Sequence, residues 1–150
     1  MTQNDVVIRP FNLALDTKTL SAIWLDASLI AHPFIGRQHL LEQRVLIEEQ
    51  YLPSSETWVA CQGNKSLGFI SLLDKFVGGI FVAPGQQGKG IGRQLIAFAL
   101  ERKRELTLEV YTQNEQAIRF YTSLGFREIS RRPYDDEGLP FESARLTLST

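Results

Sequence analysis

The chain of 150 residues is short of cysteine, of charge imbalance and of long apolar runs. The lone Cys61 cannot form an internal disulfide, which agrees with a reducing compartment; in the strand-like stretch WVAC it reads as a core residue rather than a nucleophile. With one cysteine and two histidines, His32 and His39, that stand seven residues apart, no zinc-ligand spacing exists, and no metal is expected. Lysine and arginine number 16 against 17 aspartate and glutamate, so no basic stripe is available for a polyphosphate backbone and nucleic acid is not an expected partner. No apolar stretch approaches the ~20 residues that cross a bilayer, and MTQNDVVIRP lacks the basic-then-apolar pattern of a secretory signal. A cytoplasmic protein without a membrane partner is the expectation. Repeats, low-complexity runs and an interdomain linker are absent too, and a chain of this length suits one domain that buries about two-thirds of its unfolded surface.

What is present is an alternation of strand and helix patterns. Val6 to Arg9 is a short strand ended by Pro10. From Asp16 to Ala31, Leu20, Ile23, Trp24, Ala27 and Ile30 recur at intervals of three and four, which predicts an amphipathic helix. The segment His32-Pro33-Phe34, with Gly36, interrupts it. A second helix is expected over about Gln38 to Tyr51, closed by Pro53. Three strand candidates follow, Thr57 to Cys61, Ser66 to Leu73 and Phe76 to Val82, joined by turn residues as an antiparallel meander. A helix from Ile91, a strand over Leu106 to Val110, a helix capped by Asn114 and ended at Gly125, and strands over Phe126 to Arg131 and Phe141 to Leu148 complete the order β-α-α-β-β-β-α-β-α-β-β.

The stretch Gly85 to Gly92, GQQGKGIG, lies between a strand end and a helix start. Glycines without a Cβ let backbone N–H groups converge, and the first helical turn adds unpaired N–H groups and a positive dipole end. Such a site suits an anion, above all a phosphate. A Walker-type loop needs Ser or Thr after the lysine, but Gly90 follows Lys89. A dinucleotide fingerprint needs a third glycine or alanine, and Arg93 or Leu95 stands there instead.

The spacing Gln87-x-x-Gly90-x-Gly92 resembles the Q/RxxGxG/A signature of the GNAT superfamily of N-acetyltransferases. Asn114 to Phe126, NEQAIRFYTSLGF, is similar to that family's NxxAxxFYxxxGF segment. The resemblance covers almost the whole chain. It implies an α+β fold with a mixed, mainly antiparallel sheet flanked by helices, in which the strand entering the glycine loop and the next strand splay apart to form the acyl-CoA cleft. It implies acetyl-CoA as acyl donor, with pyrophosphate held at Gln87, Gly88, Lys89, Gly90, Gly92 and Arg93. The pantetheine arm would pair with backbone groups of Phe81 and Val82, as an extended amide chain adds to a strand edge, and Asn114 would contact it or a cleft water besides capping its helix.

Acetyl transfer to an amine needs a neutral nucleophile and a hydrogen bond or proton for the departing thiolate. Tyr121 matches the family tyrosine beside the CoA sulfur. A phenol of pKa ~10 protonates a thiolate of pKa ~8.5 only uphill, by roughly 2 kcal/mol, so hydrogen-bond stabilisation is the role assigned. No carboxylate lies in Lys75 to Val82, KFVGGIFV; Glu109 on the other splayed strand is the nearest candidate base, and strand alternation leaves its direction open. Trp24, His32, Phe34 and Tyr51 are candidate walls of the acceptor pocket, with His32 alternatively packing or capping locally. The acidic run 135–137 is either a lure for a cationic amine or a solvated turn. The combined reading is an acetyl-CoA-dependent N-acetyltransferase acting by direct attack on a small-molecule or peptide amine, as a monomer or homodimer. A non-catalytic acyl-CoA-binding or sensory module is the alternative.

Overall fold

The computed structural model describes residues 5–135 and 137–150. In chain order its elements are β1 (Val6–Pro10), α1 (Leu13–Ala31), α2 (Arg37–Leu46), α3 (Leu52–Ser54, a single turn), β2 (Glu56–Gln62), β3 (Lys65–Leu73), β4 (Phe76–Val82), α4 (Ile91–Lys103), β5 (Glu105–Tyr111), α5 (Glu115–Ser123), β6 (Arg127–Arg132) and β7 (Ser143–Ser149). The start of α1 lies three residues before the expected Asp16 because Asn12 is the cap. Its side chain accepts from the Leu15 N–H at 3.0 Å, while the Asp16 carboxylate reaches back to accept from the Asn12 N–H at 2.7 Å. Two of the helix's orphan donors are thereby satisfied reciprocally.

The second helix departs from expectation at its end. After α2 the chain widens into a π turn over Ile47–Tyr51 and continues through α3, with Pro53 inside that last turn. Proline has no N–H to give the carbonyl four residues back and its ring crowds that carbonyl; widening the preceding turn relieves both, so the helix reaches Ser54 instead of stopping before Pro53. The last strand begins at Ser143 rather than Phe141.

The seven strands form one sheet in the order β1-β2-β3-β4-β5-β7-β6, with β4 and β5 its parallel pair and the other neighbours antiparallel. That parallel contact is brief: Phe76 pairs with Thr107 and Val77 with Leu108, and there it stops. The cause lies on the opposite edge of β4. Against β3, Leu72 faces Val77 and Ser71 faces Gly79, so Gly78 is an extra residue, a β-bulge. A bulge bends and twists its strand, and this one sits where β4 leaves β5. A methyl on Gly79 would lie 2.7 Å from Phe81 Cε2, so the second glycine lets the Phe81 ring lie back over the strand.

The two faces of the sheet carry separate cores. Leu95, Ile96 and Ala99 of α4 pack with Leu106, Leu108 and Val110 of β5 and with Phe126 on one side. Leu20, Trp24 and Leu25 of α1 pack with Leu40, Val59 and Phe69 on the other. Alternation along β5 therefore puts Thr107, Glu109 and Tyr111 on the face opposite α4. Among the described residues no helix is long and apolar enough to cross a membrane.

Asp16, 3% exposed, also ties β1 to α1 through a bidentate pair with Arg9 at 2.7 and 2.8 Å. The hydrogen bonds from Arg9 hold the Asp16 carboxyl below its ordinary range, against the opposing effect of burial. A depressed carboxyl contributes stability above its unfolded pKa and loses it as the pH falls through the folded value. Asp16→Asn should lower unfolding free energy at pH 7 by about 2 kcal/mol. The gap to the parent should close as the pH drops below ~4 in denaturant melts run across pH.

Candidate active site

The glycine loop leaves β4 through a 3₁₀ turn at Pro84–Gln86 and enters α4 at Gly90. Gly90 holds φ 82° and ψ 10°, the left-handed region that costs other residues roughly 1–2 kcal/mol. The first intrahelical bond runs from the Gln94 N–H to the Gly90 carbonyl at 3.0 Å. The amides of Ile91, Gly92 and Arg93 thus precede the helical ladder, and no side chain caps them. Gln87, Gly88, Lys89 and Arg93 are exposed around this end, with the Lys89 ammonium 3.3 Å from Gln86 Oε1. Beside it, Phe81 and Val82 pair with Phe69 and Gly68 of β3 and have no strand partner on the β5 side. The Gln87 carboxamide donates to the Val82 carbonyl at 3.4 Å.

Helix α5 crosses from this loop to the far wall of the opening. A methyl on Gly92 would come 3.1 Å from Phe120 Cζ, so the first turn of α4 lies against α5. Tyr121, next to it, is partly buried, with ring centroids 5.2 Å from Phe120 and 5.5 Å from Phe126. Burial pushes its phenol well above the ordinary value, so it is a protonated donor at every physiological pH. At the other end of α5, Asn114 Oδ1 caps the helix through the Ala117 N–H at 3.1 Å. That fixes the amide, and Asn114 Nδ2 then donates to His32 Nε2 at 3.4 Å.

His32 ends α1, and its ring joins an aromatic wall at the end of β5. Its centroid is 5.0 Å from Tyr111 and 5.8 Å from Phe34; Phe34 is 5.3 Å from both Tyr111 and Phe141. Burial among these rings lowers the His32 pKa to about 4, so the imidazole is neutral at pH 7 and its Nε2 is an acceptor.

The other singled-out residues lie elsewhere. Trp24 is buried in the α1 core, 6% exposed, with its ring 6.4 Å from Phe81. Tyr51 is half exposed on the π turn. Glu109 shares the face of Tyr111 and accepts from Arg132 at 2.9 Å. Of the acidic run, Asp136 lies outside the described residues; Asp135 is buried, accepts from the Tyr111 hydroxyl at 2.9 Å, and takes the Glu137 and Leu139 amides on its other oxygen. Sequence reasoning passed over Tyr111 and Phe141 as wall residues and weighed Asp135 only within the acidic run, as a lure or a solvated turn. Alternation through Leu108 and Val110 would have placed Tyr111 on the Glu109 face, but no local pattern marks a contact spanning 24 residues.

The buried imidazole gives a direct check. In an NMR pH titration the His32 Cε1–H should hold constant from pH 8 to 5 and begin to move only toward a midpoint of about 4. A midpoint near the ordinary ~6.5 would contradict its burial in the wall.

Known proteins resemble this chain in sequence and in fold. Residues 53–128, half of the chain, match the family described as acetyltransferase (GNAT) domain. The peptidyl-lysine N-acetyltransferase YiaC of Escherichia coli strain K12 is 34% identical over 119 residues, 79% of this chain and 82% of that one. The peptidyl-lysine N-acetyltransferase YjaB of the same strain is 35% identical over 123 residues, covering 81% and 83%. The solution structure of apo-form YjaB from Escherichia coli superposes with a TM-score of 0.86 over 95% of this chain and 97% of that one, at 32% identity. With its splayed parallel pair, its uncapped helix start after the glycine loop and these relatives, the chain belongs to the GNAT family of acetyl-CoA-dependent N-acetyltransferases.

Proposed function

We propose that the chain moves the acetyl group of acetyl-CoA to the side-chain amine of a lysine in a peptide or protein, by direct attack of the amine on the thioester in a ternary complex. The observation that carries this reading is the open edge of β4 leading into the glycine loop. An extended pantetheine arm has the β5-facing edge of β4 to add to, where Phe81 and Val82 have no strand partner, displacing the 3.4 Å bond from the Gln87 carboxamide to the Val82 carbonyl. A diphosphate has the amides of Ile91, Gly92 and Arg93, the loop at Gln87, Gly88 and Gly90, and the charge of Lys89 to bind to. The lysine acceptor is supported by the two relatives that carry peptidyl-lysine in their names at about a third identity. The wall of His32, Phe34 and Tyr111, with Asn114 at its edge, lies on the amine side of the opening.

In this reading Tyr121 stabilises the leaving thiolate by hydrogen bonding and keeps its proton. An ordinary phenol already sits ~1.5 pKa units above a thiol, and burial widens the gap. Trp24 supports Phe81 from the core. Glu109 faces the amine side as an anion committed to Arg132, so the amine's proton leaves through water. A lysine of ordinary pKa ~10.4 is neutral to only a few parts in ten thousand at pH 7. With solvent as the base, kcat/KM for the lysine peptide should climb about tenfold per pH unit between 7 and 9.

Incubation with acetyl-CoA, a lysine peptide and a thiol reagent tests the whole reading: peptide-dependent thiol release is the expected result. Coenzyme binding without release for any amine would make the chain a sensory module instead. Tyr121→Phe should lower kcat about tenfold to a hundredfold and leave the KM for acetyl-CoA within about twofold. An unchanged kcat would remove the tyrosine from the chemistry.

A further inference from the structure

The contact between Asn114 and His32 admits one arrangement of donors and acceptors. Asn114 Oδ1 is committed to the cap of α5 through the Ala117 N–H at 3.1 Å, so the side chain turns its NH2 group to the imidazole. His32 Nε2 accepts there, and the single proton of the neutral ring sits on Nδ1. The ring is held edge-on by its neighbours, with interplanar angles of 79° to Tyr111 and 64° to Phe34. At 3.4 Å the bond from Asn114 is longer than the ~2.9–3.0 Å of a well-made one, and Nε2 has one lone pair to give. A stronger donor displaces it, and the partly exposed Asn114 NH2 group then turns to water.

The other acceptors on this side carry charge. Glu109 is an anion paired with Arg132, and the Asp135 carboxylate takes the Tyr111 hydroxyl and the amides of Glu137 and Leu139. An anion facing a lysine amine raises its pKa by about 1–3 units, which cuts a neutral fraction of a few parts in ten thousand at pH 7 by a further ten- to a thousandfold. An ammonium has no lone pair with which to attack. An uncharged imidazole nitrogen holds the free amine without favouring the ammonium.

The reach to the sulfur side fits as well. Tyr121 follows Asn114 by seven residues on the same side of α5, about 10 Å along its axis. A hydrogen bond of ~3 Å at Nε2, an attack distance of ~3–3.5 Å and a hydrogen bond of ~3 Å from phenol to sulfur, with the C–S bond between, span about that length.

We propose that His32 Nε2 is the hydrogen-bond acceptor for the incoming lysine amine, exchanging the Asn114 NH2 group for an amine N–H and so turning the amine lone pair toward the thioester carbon. The inference rests on the functional reading for the reaction itself. The imidazole keeps its one proton throughout: the C–N bond forms, the C–S bond breaks, the amine's surplus proton leaves to water and the thiolate departs beside Tyr121.

Long-range 15N–1H NMR of the full chain, labelled on histidine and asparagine and saturated with coenzyme A, reads Nε2 and the Asn114 NH2 group at pH 9, where a few per cent of lysine is neutral. Both n-butylamine and a lysine peptide should move the two resonances with a common midpoint. The same peptide carrying norleucine, which keeps the stem and lacks the amine, should leave them still. In kinetics, His32→Phe keeps a ring in the wall and should lower kcat/KM for the lysine peptide about tenfold. His32→Gln restores an uncharged acceptor and should recover about a third of the parent value, with KM for acetyl-CoA within about twofold in both. Resonances that stay still under both amines overturn the inference, as does a parent-like kcat/KM in His32→Phe. A parent chain that binds coenzyme A yet releases no thiol with the peptide overturns the functional reading instead, and the butylamine titration then decides the imidazole's role alone.

Discussion

A single unpaired residue in a ladder sets the shape of this site. Gly78 has no opposite number on β3, and the bend it introduces ends the β4–β5 pairing after two residue pairs. An unpaired strand edge inside a sheet is ordinarily a defect, because each lost ladder bond leaves a donor or acceptor to be satisfied. Here the open edge of β4 leads toward the uncapped start of α4. Strand edge and helix start come under one requirement: backbone polar groups must find partners, and the proposed ligand, an amide chain ending in phosphates, would supply them.

The second constraint is the placement of α5. One end rests on the glycine loop through Phe120 and Gly92, and the other meets α1 through Asn114 and His32. Tyr121 is carried between them. Displacement of α5 would disturb both the coenzyme side and the amine side, which makes the helix the mechanical link of the site. Burial acts on its neighbours in one chemical sense: the phenol stays protonated and the imidazole stays neutral. The wall of His32, Phe34 and Tyr111 is therefore an uncharged aromatic surface, and the charged groups near it are the Glu109–Arg132 pair and Asp135.

Much of this was legible in the sequence because it is local. The strand, glycine loop and helix around Gly90, the Asn114 cap, and the strand boundaries of the meander all follow from residue type and spacing within a few positions. Pro53 misled because proline is compatible with a first helical turn, and whether the preceding turn can widen to admit it is a tertiary matter. The Gly78-Gly79 pair was a readable bulge signal whose consequence for β5 required knowing which strand lies beside β4. The direction of Glu109 was undetermined until alternation along β5 was anchored by Leu106, Leu108 and Val110 in the α4 core. Contacts such as His39 with Glu137, 98 residues apart, leave no pattern in one sequence at all.

The central claim is that the open edge of β4 and the start of α4 form one continuous coenzyme slot, and amide chemical shifts of the labelled chain under coenzyme A titration test it most directly. The account predicts saturable shifts in both Gly78–Val82 and Gly90–Arg93 with a common midpoint, and little change in β1 and β2 on the far side of the sheet. If the glycine loop shifts while Gly78–Val82 stays still, the bulge is only a bend in the sheet and the slot does not exist.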